Sequence, residues 1–288
     1  MKPAPFDYVA PTSLEEVLAH LTAAGGEAKI LAGGQSLVPA MNFRLSRPTS
    51  LVDINNVTEL STVVANGASV TIGSLVRHAE LERNTLGGTL GALLAEVARW
   101  VGHVPVRTRG TIGGSLAHAD PAAEWGVLAV ALEARVEVAG PNGRREVTAD
   151  EFFRSVFVTS LEPDEVITGL RLPRLGSNVR FGFREFSRRA GDFALVAVLA
   201  VVSLADDGRV ESARIGLGGV GSTPLRAREA EDLLSRGGVP NEATLRSAAE
   251  AAADGVEPPA DIHASSDFRR KLVRNLTFES LGRATVLG

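Results

Sequence analysis

The sequence predicts an α+β protein of two units, an N-terminal one of α/β layers and a C-terminal one of antiparallel strands followed by helices. Three observations predict it. At 288 residues the chain exceeds one typical domain of roughly 100–150 residues. Its opening runs from a helical pattern through a short strand into a glycine-rich turn, the order in which α/β layers begin. Its last part sets strands first and helices after, the order of an α+β unit.

The first helix is announced by Ser13-Leu14-Glu15-Glu16, a capping box in which Ser13 accepts from the third helical amide and Glu16 reaches back to the cap. Leu14, Val17, Leu18 and Leu21 then form one apolar stripe, and Gly25-Gly26 stops the helix. Lys29-Ile30-Leu31, Leu51-Val52-Asp53-Ile54 and Ser69-Val70-Thr71-Ile72 read as strands, with Asn66-Gly67 as a turn signal before the third. Residues 75–83 and 90–101 read as helices. Pro105 is expected to keep the following segment out of helix. Pro121-Ala122-Ala123-Glu124 is expected to open another helix, capped by Asp120 and running through Leu128 and Leu132.

Arg135 to Val138 and Glu146-Val147 flank Pro141-Asn142-Gly143, a hairpin signature. Glu165 to Leu172 alternates as a half-buried strand. The turn residues from Pro173 to Asn178 place the domain boundary there, dividing the chain into 1–176 and 177–288. Beyond it, 181–186, 193–204 and 210–217 read as strands, and 226–234, 242–253 and 266–281 as helices.

Composition excludes several classes of function. The formal charge is -4 and the basic residues are scattered, so nucleic acid and anionic membrane are not expected partners. With no cysteine, disulfides, thiolate catalysis and a self-held iron–sulfur cluster are excluded. His20, His78, His103, His118 and His263 form no metal-binding spacing, so no metal is expected. The N-terminus lacks the apolar core of a signal peptide, and the longest apolar run, 193–204, is far short of the roughly 20 residues that span a bilayer. A cytoplasmic protein without integral membrane segments is expected.

Two segments carry the chemistry. Leu31-Ala32-Gly33-Gly34-Gln35-Ser36-Leu37 and Arg109-Gly110-Thr111-Ile112-Gly113-Gly114-Ser115 each set a glycine pair beside a hydroxyl residue. Backbone N–H groups in such turns can converge on an anion, so two of them suit a ligand with two phosphates. Neither is a Walker loop, because Lys2, Lys29 and Lys271, the only lysines, lie elsewhere. Ser36 is not a nucleophile elbow, since Val38 stands where glycine is required. Gly216-Leu217-Gly218-Gly219-Val220-Gly221 matches a dinucleotide-binding pattern, but it follows a hairpin and lacks the helix that must open inside it.

These segments, with Phe6-Asp7-Tyr8, Arg44 to Pro48, Asp53-Ile54, Thr111 to Pro121, Gly191-Asp192-Phe193-Ala194 and Gly218 to Pro224, resemble the FAD-binding medium subunit of the molybdenum hydroxylases, the carbon monoxide dehydrogenase and xanthine dehydrogenase family. The resemblance runs nearly end to end. It implies an FAD-binding domain of the vanillyl-alcohol-oxidase (PCMH) type over 1–176, with two α/β subdomains split near 56–60, and a C-terminal flavoprotein domain over 177–288. It implies an electron-transfer role. Electrons would arrive from [2Fe–2S] clusters of a small partner subunit, after oxidation of substrate at a large molybdopterin subunit, and leave to an external acceptor. A dimer of such heterotrimers is expected.

Carried over by position, Ala32, Gly33, Gly34, Gln35 and Ser36, then Thr111, Ile112, Gly113, Gly114 and Ser115, would hold the diphosphate and ribityl chain of one non-covalent FAD. Glu124 stands where an aspartate facing the cofactor is frequent, and Phe193 where some members place a tyrosine over the ring. Val166 and Ile167 are further candidates to place the ring. A lysine common on the strand before Gly191 is missing, and Arg184 and Glu185 are its nearest replacements. No residue of this chain is expected to act as acid or base on substrate. The alternative is a self-contained flavin-dependent reductase on the same fold, for which the C-terminal part offers no recognisable general acid.

Overall fold

The computed structural model describes residues 2–236 and 238–285. Its first layer is a parallel sheet in the order β1-β3-β2, formed by Asp7–Val9, Ser50–Asp53 and Ala28–Leu31. Helix α1 (Leu14–Ala23) covers it through buried Leu14, Val17 and Leu21, and Ser13 accepts from the Glu16 amide at 3.2 Å. The Glu16 carboxylate turns back to the amide of Thr12, 2.8 Å away, rather than to that of the cap itself. A short helix, α2 (Leu37–Asn42), follows the first glycine segment.

The second sheet is antiparallel and reads β4-β5-β10-β6-β7. Strands β4 (Val63–Asn66) and β5 (Ser69–Gly73) make a hairpin across Asn66-Gly67, where Gly67 takes φ +55°. Helices α3 (His78–Glu82), α4 (Gly88–Trp100), α5 (Val104–Arg109), α6 (Ile112–His118) and α7 (Glu124–Ala131) come next. Then β6 (Arg135–Gly140) and β7 (Gly143–Thr148) form the hairpin that Pro141-Asn142-Gly143 announces. A turn of helix, α8 (Ala149–Phe152), leads to the small pair β8 (Phe153–Ser155) and β9 (Val158–Thr159). Strand β10 (Val166–Pro173) closes the second sheet.

The third sheet, β11-β12-β13-β14, is antiparallel as expected: Val179–Phe186, Val196–Leu204, Val210–Gly218 and Leu225–Arg226. Helices α9 (Arg228–Arg236), α10 (Glu242–Asp254) and α11 (Ser266–Thr285) follow. One sheet face meets these helices, with Val198, Ala200, Ile215, Val273 and Leu281 in that core. The other face joins the N-terminal unit through Phe183, Ala197, Leu199 and Val201.

Several expectations are corrected. Pro105 sits in the first turn of α5, where its missing N–H has no intrahelical partner to lose. The expected helix at 75–83 begins only at His78, since Ser74 and Val76 accept from Gly113 and Ile112 in a strand-like contact. Asp120 caps no helix. Its Oδ1 accepts from the Ala122 amide at 2.9 Å in an Asx turn, and α7 starts at Glu124 behind Ala123. The strand expected from Phe193 begins at Val196.

Helix α7 is buried along its whole length and forms the seam between the two units. It explains the glycine run that mimics a dinucleotide motif. A Cβ on Gly216 would lie 2.6 Å from the Val127 carbonyl, and one on Gly218 2.5 Å from a Val127 methyl. Those glycines let the sheet approach a helix backbone. Gly216→Val is expected to destabilise the chain by about 1–3 kcal/mol through overpacking, read as a lower unfolding midpoint in urea.

Candidate functional site

The two glycine segments, distant in sequence, are pressed together. A Cβ on Gly33 would fall 2.3 Å from the carbonyl oxygen of Arg109 and 2.8 Å from Cα of Gly110, so only glycine permits the approach. Side chains fasten the same contact. Asn55 donates from Nδ2 to the carbonyl of Ala32 at 2.9 Å, and its Oδ1 accepts from Arg77 at 2.5 Å. Arg77 donates in turn to the carbonyl of Arg109. Asp53 steadies Asn55 by accepting from its amide at 2.9 Å, and Tyr8 donates to Asp53 at 2.6 Å. The Asp53 carboxyl is held below the usual carboxylate range by the Tyr8 and Asn55 hydrogen bonds, which overcome its partial burial.

The amides of the two segments have different fates. Among the described residues, the N–H groups of Gly33, Gly34, Gln35, Ser36 and Leu37 donate to no acceptor, and Ser36 makes no side-chain cap to α2. Gln35 folds its Nε2 back onto the Gly33 carbonyl at 3.1 Å. Most backbone donors in the second segment are consumed. Ile112 donates to Val76, Gly113 to Ser74 at 2.9 Å, Gly114 to Thr111 Oγ1 at 3.0 Å and Ser115 to Thr111. Sequence reasoning treated the two loops as equivalent anion cradles. The first is open, while the second is a short helix start whose contributions are a close-packed backbone, the exposed Gly114 and the half-buried Ser115.

Behind the second segment lies a pair that sequence reasoning did not single out. Trp125 donates from Nε1 to His78 Nδ1 at 3.0 Å, and the rings stack at 5.8 Å. Burial, with Arg77 and Arg107 nearby, pushes the His78 pKa down to about 3. His78 is therefore neutral with its proton on Nε2, a fixed wall against Gly110. Asn55, Arg77 and His78 went unnoticed because each lies outside any motif. The legible signal was weak: Asp53 and Asn55 are polar residues at the end of a strand and just beyond it.

The remaining candidates divide. Val166 and Ile167 are 1% and 5% exposed, so their side chains belong to the hydrophobic cores on either side of β10. Phe193 is 57% exposed and free to stack on a ligand face. It follows Gly191, which packs against the His103 ring. Glu124 is 5% exposed, and its carboxyl is raised by burial and by Asp120. No group of three or more His, Asp or Glu side chains among the described residues could hold a metal ion, and no described helix is long and apolar enough to cross a membrane.

Removing the Arg77 clasp tests this construction. Arg77→Met leaves Asn55 Oδ1 and the Arg109 carbonyl without their donor, a loss of about 1–3 kcal/mol for the loop contact. The expected outcome is a chain still folded by circular dichroism with a lower unfolding midpoint in urea.

Comparison with known proteins matches these features. Residues 4–175 match the family described as the FAD binding domain in molybdopterin dehydrogenase, and residues 181–284 match the CO dehydrogenase flavoprotein C-terminal domain. Subunit alpha of the 6-hydroxypseudooxynicotine dehydrogenase complex of Paenarthrobacter nicotinovorans is 41% identical, over 99% of this chain and 96% of that one. The carbon monoxide dehydrogenase medium chain of Hydrogenophaga pseudoflava is 36% identical, over 99% and 98%. A solved chain of quinoline 2-oxidoreductase from Pseudomonas putida 86 superposes with a TM-score of 0.94 at 38% identity, covering 99% of this chain and 98% of its own.

Proposed function

Because this chain belongs to the FAD-binding medium subunits of the molybdenum hydroxylases, we propose that its two joined glycine segments hold the cofactor of an electron-transfer subunit. The chain carries FAD in a heteromeric oxidoreductase and takes no part in the chemistry on substrate. FAD, when bound, supplies a carrier that takes electrons from iron–sulfur clusters and releases them to an external acceptor.

One observation carries the assignment: five successive unpaired amides, Gly33 to Leu37, held against the second segment at a contact that only glycine allows. Open amides and hydroxyls solvate phosphate charge without lysine. Ala32, Gly33, Gly34, Gln35 and Ser36 line the diphosphate. Thr111, Ile112, Gly113, Gly114 and Ser115 form the opposite wall, with Gly114 giving the close approach and Ser115 a hydroxyl. Phe193 covers the ring, Glu124 lies at its edge, and Val166 and Ile167 support it from the core. The chain's own role is to bind, orient and shield the cofactor.

The partners are a large molybdopterin subunit and a small [2Fe–2S] subunit, assembled in the cytoplasm as a dimer of heterotrimers. Native purification through a tag on this chain tests the assembly. The expected result is co-elution with two other chains at the mass of a doubled heterotrimer. An active enzyme containing this chain alone would contradict it.

A further inference from the structure

Helix α2 ends in an apolar knob that cofactor binding leaves unused. Phe43 and Leu45 are 67% and 85% exposed, and Val38 near the start of the same helix is exposed as well. Single exposed apolar side chains are ordinary on a protein surface. This set is held out by its backbone. The chain turns at Arg44, a non-glycine residue at φ +59°. The Arg44 amide donates to the Met41 carbonyl at 2.9 Å, and the amides of Leu45 and Ser46 both donate to that of Ala40, at 2.9 and 3.3 Å. Arg47 adds a bond from Nε to the Arg44 carbonyl at 3.0 Å, and Met41 is buried beneath. A left-handed arginine persists only where its surroundings over-determine it, and the result of this one is two large apolar side chains presented to solvent. Other exposed aromatics have neighbours: Phe157 lies against the His118 ring at 4.9 Å, and Phe186 against Phe268 at 5.9 Å. Phe43 enters no aromatic pair among the described residues.

The charge of the knob has one sign. Residues 28–52 contain Lys29, Arg44 and Arg47 and no acid, in a chain whose formal charge is -4. Arg44 and Arg47 are exposed, and neither has a carboxylate partner among the described ion pairs. Aromatic residues and arginine are enriched in protein interfaces, and a face of positive charge alone is complementary to an acidic one. Position decides the partner. Helix α2 begins at the open amides of the first segment, and a Cβ on Gly34 would lie 3.2 Å from a Val38 methyl. The helix has six residues, a rise of about 9 Å, so whatever grips Phe43 and Leu45 sits beside the cofactor segment. A subunit that hands electrons to the flavin must come close to it, whereas the subunit that oxidises substrate need not.

We infer that Phe43, Arg44, Leu45 and Arg47 form a docking knob for the small [2Fe–2S] subunit, received there by an apolar pocket with an acidic rim. The inference rests on the electron-transfer reading above and gives that partner a place on this chain. Phe43 and Leu45 supply the buried centre of the contact. The two guanidiniums form its rim, where they steer the encounter and fix its register.

Photo-cross-linking in the purified complex tests this. Benzoylphenylalanine in place of Leu45 should attach this chain to the small subunit on illumination. The same probe in place of Ile262, which is 93% exposed in the C-terminal unit, should not. Phe43→Glu combined with Leu45→Glu should leave the chain folded by circular dichroism, since both side chains already stand in water, yet lower the co-eluting small subunit about tenfold or more. Added salt should release small subunit from the wild type, and Arg44→Glu should show that release at low salt with little further change. Ile262→Glu should change neither. Attachment to the large subunit, to a second copy of this chain or to nothing overturns the inference, as does unchanged co-elution of the double variant. Binding of the complex to phosphatidylglycerol vesicles that Phe43→Glu abolishes would also overturn it, because the knob would then serve a lipid surface. A wild type that purifies with no partner chain contradicts the electron-transfer reading itself, whereas partners that co-elute while the probe marks another surface sink the knob alone.

Discussion

Gly114→Leu should yield a folded subunit that has lost its flavin. A Cβ at this position meets only Thr111 Oγ1, at 2.9 Å, so the α6 cap that this hydroxyl makes to the Gly114 amide must shift, at a cost of about 0.5–2 kcal/mol, while Gly114 is exposed and the rest of a larger side chain projects outward. On the proposed reading it projects into the space where the cofactor lies against the second segment. Blocking backbone approach there is expected to lower FAD affinity by at least 100-fold, about 3 kcal/mol. Iron–sulfur reduction by substrate in the assembled enzyme should persist, because those electrons arrive before they reach this chain. Flavin content and cluster spectra measure the two halves separately. Full flavin together with full acceptor turnover would remove the second segment from the site.

Gly33→Ala acts at the other wall and should damage fold and site together. Its Cβ would sit 2.3 Å from the Arg109 carbonyl, which is backbone and cannot rotate away. The two segments must part, at a cost of about 1–3 kcal/mol, and the open amides of Gly33 to Leu37 lose their place opposite Gly114. The expected result is a lower unfolding midpoint and loss of bound flavin. Gly282→Ala is the control. It has open space around it and lies in α11, so it should be neutral or stabilising by up to about 1 kcal/mol.

Much of the fold was legible because local chemistry and tertiary packing agree. The Ser13 cap, the Pro141-Asn142-Gly143 hairpin and the strand-then-helix order of the C-terminal unit all appear where the sequence places them. Segments that were missed or misread have physical reasons. Strand β4 is an edge strand exposed on all four residues, so it has no buried face and no alternation. Pro105 was read as a breaker, yet in a first turn it costs no hydrogen bond. Asp120 has the side chain of a cap but satisfies an Asx turn instead.

Site residues divide along similar lines. Glycine pairs marked the two segments, but nothing local distinguishes an open amide run from one already bonded to Ser74 and Val76. Nor could local pattern reveal that Gly33 seats on Arg109, or that Asn55 and Arg77 close the contact, because these pairings exist only once three separate segments converge.

The central claim, that this chain is the FAD carrier of its enzyme, is tested most directly by denaturing the purified complex and identifying what the chain releases. The account predicts one FAD per chain, recovered free of the polypeptide, since the chain has no cysteine and the site offers hydrogen bonds rather than an attachment point. Flavin that stays covalently on the polypeptide, FMN in place of FAD, or a functional complex that releases no flavin would contradict it.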